Sequence, residues 1–105
     1  MTDERRRSPR VKVNLQARWE GVLSQQEATI TDLSKTGCFV LTGGNVEPKE
    51  LVRLEIEAPE GEPFVLWAEV VEAAFEIGFA VRFTSMTDDD ELRLSRFILA
   101  SMAKP

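Results

Sequence analysis

The sequence contains no histidine, no tyrosine and one cysteine, Cys38. Histidine is the commonest general base near neutral pH and a frequent metal ligand, so its absence removes the usual routes to acid–base and metal-assisted catalysis. One cysteine forms no disulfide within the chain and fits a reducing compartment, so we expect the protein in the cytoplasm. No other combination of side chains in the sequence matches a catalytic or metal-binding motif. We therefore predict no catalytic residues, no metal site and no cofactor.

Long hydrophobic runs are also missing. No stretch approaches the ~18 apolar residues of a membrane-spanning helix, and no apolar segment follows the opening MTDERRR to indicate a signal peptide. The 105 residues are 43% hydrophobic and 30% charged, which is the composition of an ordinary globular domain. We therefore expect a single domain over 1–105 that does not insert into a membrane.

The net charge of −5 is unevenly distributed. Residues 1–20 hold six basic and three acidic side chains, a net +3, which leaves −8 for residues 21–105. A basic arm on an acidic body attracts a small anion locally but repels a large polyanion. This charge pattern argues against a nucleic-acid partner.

Hydrophobic periodicity predicts an all-β body. Apolar and polar residues alternate from Val11 to Trp19, which is the period of a half-buried strand. Similar patterns predict five more strands at about 26–31, 38–41, 51–58, 64–73 and 77–83. Six short strands favour a small antiparallel β-barrel over 11–84, because closure removes exposed edges.

The C-terminal part of the chain has a helical pattern. Thr87 precedes four consecutive acidic residues, and this combination is typical of a helix start, where a hydroxyl caps and carboxylates favour the positive end of the dipole. Apolar residues then recur at i, i+3, i+4 and i+8 from Leu94, which forms a stripe along one helix face. We predict a C-terminal helix within 87–103 that packs on the barrel.

Two polar segments are candidates for a binding site. The first is the flexible basic arm predicted for 1–10, in which four of the six residues from Arg5 to Arg10 are arginines. They form either a solvated tail or an anion clamp, since the guanidinium fork pairs bidentately with phosphate and with the edge of guanine.

The second candidate is the stretch from Asp32 to Gly37, which separates two predicted strands. In a structural interpretation Asp32 or Ser34 bonds the local backbone and Gly37 adopts positive φ. In a binding interpretation the carboxylate accepts from a base N–H, the hydroxyl adds a further bond and the glycine allows close approach of a ligand. Taken alone, the stretch leaves both interpretations open.

Together the two segments resemble a known signature. Arg6-x-x-x-Arg10 followed by Asp32-x-Ser34-x-x-Gly37 is similar to the split motif of PilZ domains, which are bacterial receptors for the second messenger cyclic di-GMP (c-di-GMP). The segment 75–83, FEIGFAVRF, resembles the family's late strand. The resemblance implies a six-stranded antiparallel barrel, often with a C-terminal helix, and a receptor without catalytic activity.

The resemblance also implies the ligand contacts. The motif arginines contact guanine and phosphate, the carboxylate and the hydroxyl hydrogen-bond guanine, and the glycine shapes the turn. In the family, an arginine directly before the motif, here Arg5, accompanies binding of an intercalated ligand dimer. The implied c-di-GMP site therefore consists of Arg5, Arg6, Arg10, Asp32, Ser34 and Gly37.

The expected function is that of a nucleotide-dependent adaptor. Ligand binding would order the arm against a turn that is already formed, and the protein, as a monomer or homodimer, would relay the signal to an unidentified effector protein. The alternative is an interaction adaptor of the same fold that does not depend on the nucleotide. A barrel that binds single-stranded nucleic acid ranks lower, because that mode uses aromatic side chains in a basic groove.

Overall fold

The computed structural model describes residues 9–22, 24–74 and 76–103. This part of the chain contains six strands and a C-terminal helix. They are β1 (Val11–Glu20), β2 (Gln25–Leu33), β3 (Gly37–Leu41), β4 (Leu51–Ile56), β5 (Phe64–Ala74), β6 (Gly78–Ser85) and α1 (Asp88–Met102). The strands form a closed antiparallel barrel in the order β1-β2-β3-β6-β5-β4. The predicted six-stranded antiparallel barrel with a C-terminal helix is thus confirmed.

The inward-facing side chains of the strands fill the barrel. Trp19 is fully buried, packs edge-on against Phe79 with ring centroids 5.1 Å apart, and donates its indole N–H to Thr42 Oγ1 over 3.1 Å. A buried indole needs such an acceptor, because its N–H loses its water on burial. Trp19 is therefore a core residue. Trp67, by contrast, lies on the outer face of β5 with 48% of its surface exposed.

The helix begins as its sequence predicts. Thr87 Oγ1 accepts from the backbone N–H of Asp90 over 3.1 Å, and Leu94 and Ile98 are buried. The apolar stripe is shorter than expected, since Met102, in the last turn, is 48% exposed and contributes little to the core. Within the described ranges, no helix has the length and apolarity needed to cross a membrane.

The strand boundaries around the central turn differ from the expected ones. Asp32 and Leu33 belong to β2 and Gly37 opens β3, so the turn comprises only residues 34–36. Leu33 is fully buried, and burial of this side chain continues the strand beyond the expected end at residue 31. A register shift between Ile30 and Asp32 sets Asp32 directly opposite Phe39, which turns the carboxylate toward the outer face.

Most other strand limits differ from the expected ones by one or two residues. β4 ends at Ile56 rather than at residue 58. β6 begins at Gly78 rather than at Ile77, which is 55% exposed, because the chain turns through positive φ at Glu76 and again at Gly78.

Candidate functional site

Strand register aligns five outward-facing side chains across the barrel wall. In antiparallel pairs, directly opposite residues share one face with Cβ atoms about 4.5–5.5 Å apart. The pairing runs from β1 through β2, β3 and β6 to β5, and none of the five residues is buried. We call this set the outer row; it consists of Lys12, Asp32, Phe39, Ala80 and Glu72.

Asp32 is the acceptor of the outer row. Its Oδ1 lies 3.0 Å from Lys12 Nζ, and the two side chains are 26% and 89% exposed, respectively. An ion pair to so exposed a lysine is weak, because water and salt screen it. The carboxylate is therefore held at the surface by a partner that another hydrogen-bond donor can replace.

Ser34 has a different environment from Asp32. Its side chain is buried at 4% exposure, and its Oγ accepts from the backbone N–H groups of Thr36 and Gly37, each over 3.2 Å. The Ser34 N–H donates to Gly37 O over 2.9 Å. The hydroxyl satisfies the donors of a tight turn, which agrees with the structural interpretation of this residue.

Gly37 is needed for the approach of two strands. A Cβ at this position would overlap the carbonyl oxygen of Val81 in β6. The backbone at Gly37 is not in the positive-φ region, unlike Gly61 and Gly78, so the positive-φ interpretation of Gly37 is wrong. The close approach that the glycine permits in the structure is to β6.

Arg10 borders two open grooves on the outer face. The first, of about 680 Å³, contains the cationic side chains of Arg10, Lys35 and Arg82 and reaches Glu91 of α1; we call it the basic groove. The second, of about 540 Å³, is the Phe39 groove, lined by Arg10, Phe39, Glu72, Ala74 and Ala80. Since Arg10 lines both, its side chain lies between them, next to the turn.

The described residues bring together only part of the sequence-predicted site. Arg10, Asp32, Ser34 and Gly37 all lie around the β2–β3 turn, although only the first two present their side chains to the surface. The predictions for Arg5 and Arg6 lie outside the described residues.

Sequence reasoning missed Lys35, Arg82 and Phe39, which line the two grooves beside Arg10. Arg82 alternates with buried Val81 in β6, so its outward direction was readable. Its position opposite Gly37 depends on strand pairing, which the sequence does not display. Arg82 also forms an ion pair with Glu69.

Other chemistry is not supported near this surface. Among the described residues, no group of three or more histidine, cysteine or acidic side chains is arranged to hold a metal ion. Cys38 is buried, and burial raises the pKa of its thiol despite the opposing charge of Arg10. The thiol is therefore kept in its unreactive protonated form, as expected for a small buried hydrophobe.

Comparison with known proteins identifies the fold and the family. A family model described as PilZ domain matches residues 4–100. No curated protein sequence matches the chain.

Several solved structures resemble the barrel. The Bacillus subtilis inhibitor of motility MotI/DgrA superposes with a TM-score of 0.83 at 17% identity, covering 95% of this chain and 52% of its own. The PilZ domain of Escherichia coli YcgR with c-di-GMP gives 0.76 at 16% identity and covers 94% and 92%. The K. pneumonia MrkH–c-di-GMP complex gives 0.72 at 17% identity and covers 96% and 53%. The chain thus spans about half the length of MotI and of MrkH.

Proposed function

Because the chain belongs to the PilZ domain family, whose members are non-catalytic c-di-GMP receptors, we propose that it binds c-di-GMP on the outer face of its barrel and relays the signal to a partner protein. The observation that carries the proposal is the position of Arg10 between two grooves beside the turn of residues 34–36. We also propose that it acts in the cytoplasm.

The ligand carries two phosphates and two guanines, and the surface offers complementary groups. Arg10, Lys35 and Arg82 give the basic groove a concentration of donors on an otherwise acidic protein, which suits phosphate. Asp32 offers an acceptor to a guanine N–H. In the proposed complex, Arg5 and Arg6 join Arg10 on phosphate and guanine.

The remaining two motif residues take a supporting part in this proposal. The Ser34 hydroxyl already accepts two N–H bonds within the turn, and Gly37 lies against β6. They hold Asp32 and the start of β3 in place. The ligand binds as an intercalated dimer, which is the arrangement that Arg5 implies.

Calorimetric titration with c-di-GMP tests the proposal. We expect wild-type protein to bind two ligand molecules per chain and Arg10→Ala to bind at least about tenfold more weakly, because a charge-assisted hydrogen bond contributes roughly 1.5–3 kcal/mol. Arg10 is exposed, so its removal should leave the melting temperature unchanged. Arg96→Ala, an exposed arginine on α1, is the matched control and should bind like wild type.

Each contrary result has a definite meaning. Absence of binding by wild-type protein at high micromolar c-di-GMP would overturn the receptor function and favour the nucleotide-independent adaptor. If Arg10→Ala and wild-type protein bound c-di-GMP with equal affinity, the ligand would bind elsewhere than beside the turn of residues 34–36. A stoichiometry of one ligand per chain would exclude the intercalated dimer.

A further inference from the structure

The Phe39 groove has features that the motif residues do not explain. Phe39 is only partly buried, and its ring lies against Gly78, where a Cβ would come 3.0 Å from Cε2. Ala74 and Ala80 flank the ring with small side chains, and this leaves a groove of about 540 Å³ over it. Because the neighbours of the ring are alanines rather than large side chains, the ring remains accessible from solvent. We call this exposed apolar surface of Phe39, Ala74 and Ala80 the shelf.

Charged groups stand at the edges of this apolar shelf. Arg10 and Glu72 both line the groove. An arginine fork stacks on flat aromatic groups, and a carboxylate accepts hydrogen bonds from N–H donors. A shelf of this kind suits a planar aromatic ligand with N–H groups along one edge, and a guanine base has both properties.

The Phe39 groove lies on the far side of Phe39 from Asp32, so a base bound in the groove would be a different base from the one that contacts Asp32. Phe39 is directly opposite Asp32 on one side and Ala80 on the other, and Ala80 is opposite Glu72. Asp32 and Glu72 are therefore three strand spacings apart, about 14 Å by the usual interstrand distance. Two carboxylates on either side of an aromatic ring suit a ligand that presents several guanine edges, as two intercalated c-di-GMP molecules do.

We propose that the Phe39 groove is a second guanine subsite, in which a base stacks on the Phe39 ring beneath Arg10 and donates its N–H groups to Glu72. This inference rests on the proposed function, because the base belongs to the c-di-GMP dimer bound in that proposal. It adds Phe39 and Glu72 to the binding residues and assigns the selectivity for guanine in part to Glu72.

Substitutions of Phe39 test the stacking. Phe39→Leu keeps an apolar side chain but removes the aromatic face, and we expect it to weaken c-di-GMP binding by about tenfold, as loss of a base-stacking ring generally does. Phe39→Tyr keeps the ring and should bind within about twofold of wild type on the same basis. Melting temperatures of both variants separate this effect from a loss of fold.

A second pair of substitutions keeps the test independent of any folding defect at Phe39. Ala80→Leu fills the groove from a partly exposed position and should abolish binding, whereas Ala100→Leu on the exposed side of α1 should not. Glu72→Gln should reduce the ratio of affinities for c-di-GMP and cyclic di-AMP. The carboxylate offers two acceptors to the guanine N–H groups, whereas the amide replaces one of them with a donor.

The outcomes distinguish the two proposals. Wild-type binding together with unchanged affinity in Phe39→Leu and Ala80→Leu would overturn the subsite and leave the receptor function intact. Absence of wild-type binding would overturn both. Binding that Phe39→Tyr preserves and Phe39→Leu and Ala80→Leu lose would support the subsite.

Discussion

Asp32 and Ser34 are two residues apart in one motif, yet they lie in opposite environments. Asp32 faces outward in the outer row, paired with the exposed Lys12. Ser34 is buried, and its hydroxyl is occupied by the N–H groups of the turn. The difference teaches that one sequence motif can hold both a surface carboxylate that is available to a ligand and a buried hydroxyl that stabilises a turn, and that burial and hydrogen bonding distinguish the two.

The same contrast extends to Gly37 and Phe39. Gly37 has no side chain because β6 passes directly against its backbone, whereas Phe39, two residues on, projects to the outer face of the same strand. Substitution of the scaffold residues Ser34 and Gly37 should therefore lower the stability of the fold, and it should weaken binding only as a result of that loss. Substitution of the surface residues Asp32 and Phe39 should weaken binding with little change in stability.

The largest effect is expected at Gly37. Gly37→Ala forces a methyl group onto the Val81 carbonyl, and because backbone has little freedom to move, we expect a loss of about 3 kcal/mol in the free energy of unfolding. Urea denaturation measures this loss. Gly43→Ala is the matched control, since a Cβ there meets no atom within 4 Å. Equal stability of both variants would mean that Gly37 is not a scaffold residue.

Asp32→Ala should give the reverse pattern. In the proposed complex Asp32 contacts guanine, so loss of its carboxylate should weaken c-di-GMP binding by about 1–3 kcal/mol. The free energy of unfolding should change by less than about 1 kcal/mol, because the ion pair with Lys12 is exposed. Calorimetry and urea denaturation measure the two quantities.

Ser34→Ala is the matched comparison for Asp32→Ala. It leaves the N–H groups of Thr36 and Gly37 without their acceptor and should cost about 1–3 kcal/mol of stability. If Ser34→Ala weakened binding as much as Asp32→Ala at unchanged stability, the division between scaffold and surface within the motif would fail.

How much of this was readable from sequence depends on the range of the interactions involved. Alternation from Val11 to Trp19 and the Thr87 cap are local signals, and both led to correct elements. The need for glycine at position 37 comes from β6, more than forty residues away in the chain. The alignment of Asp32 with Phe39 comes from a register shift, and strand register is a tertiary property.

The smallest effect is expected at Lys12. Substitution of this residue also tests where the proposed binding surface ends. Lys12→Met removes the ion pair with Asp32, and because exposed pairs contribute at most about 1 kcal/mol, both stability and c-di-GMP affinity should change by less than that amount, or about fivefold in the dissociation constant. Calorimetry at low and at moderate salt measures the change and its screening. A loss of affinity well beyond fivefold would show that Lys12 itself contacts the ligand, and the binding surface would then extend across β1 rather than end at Asp32.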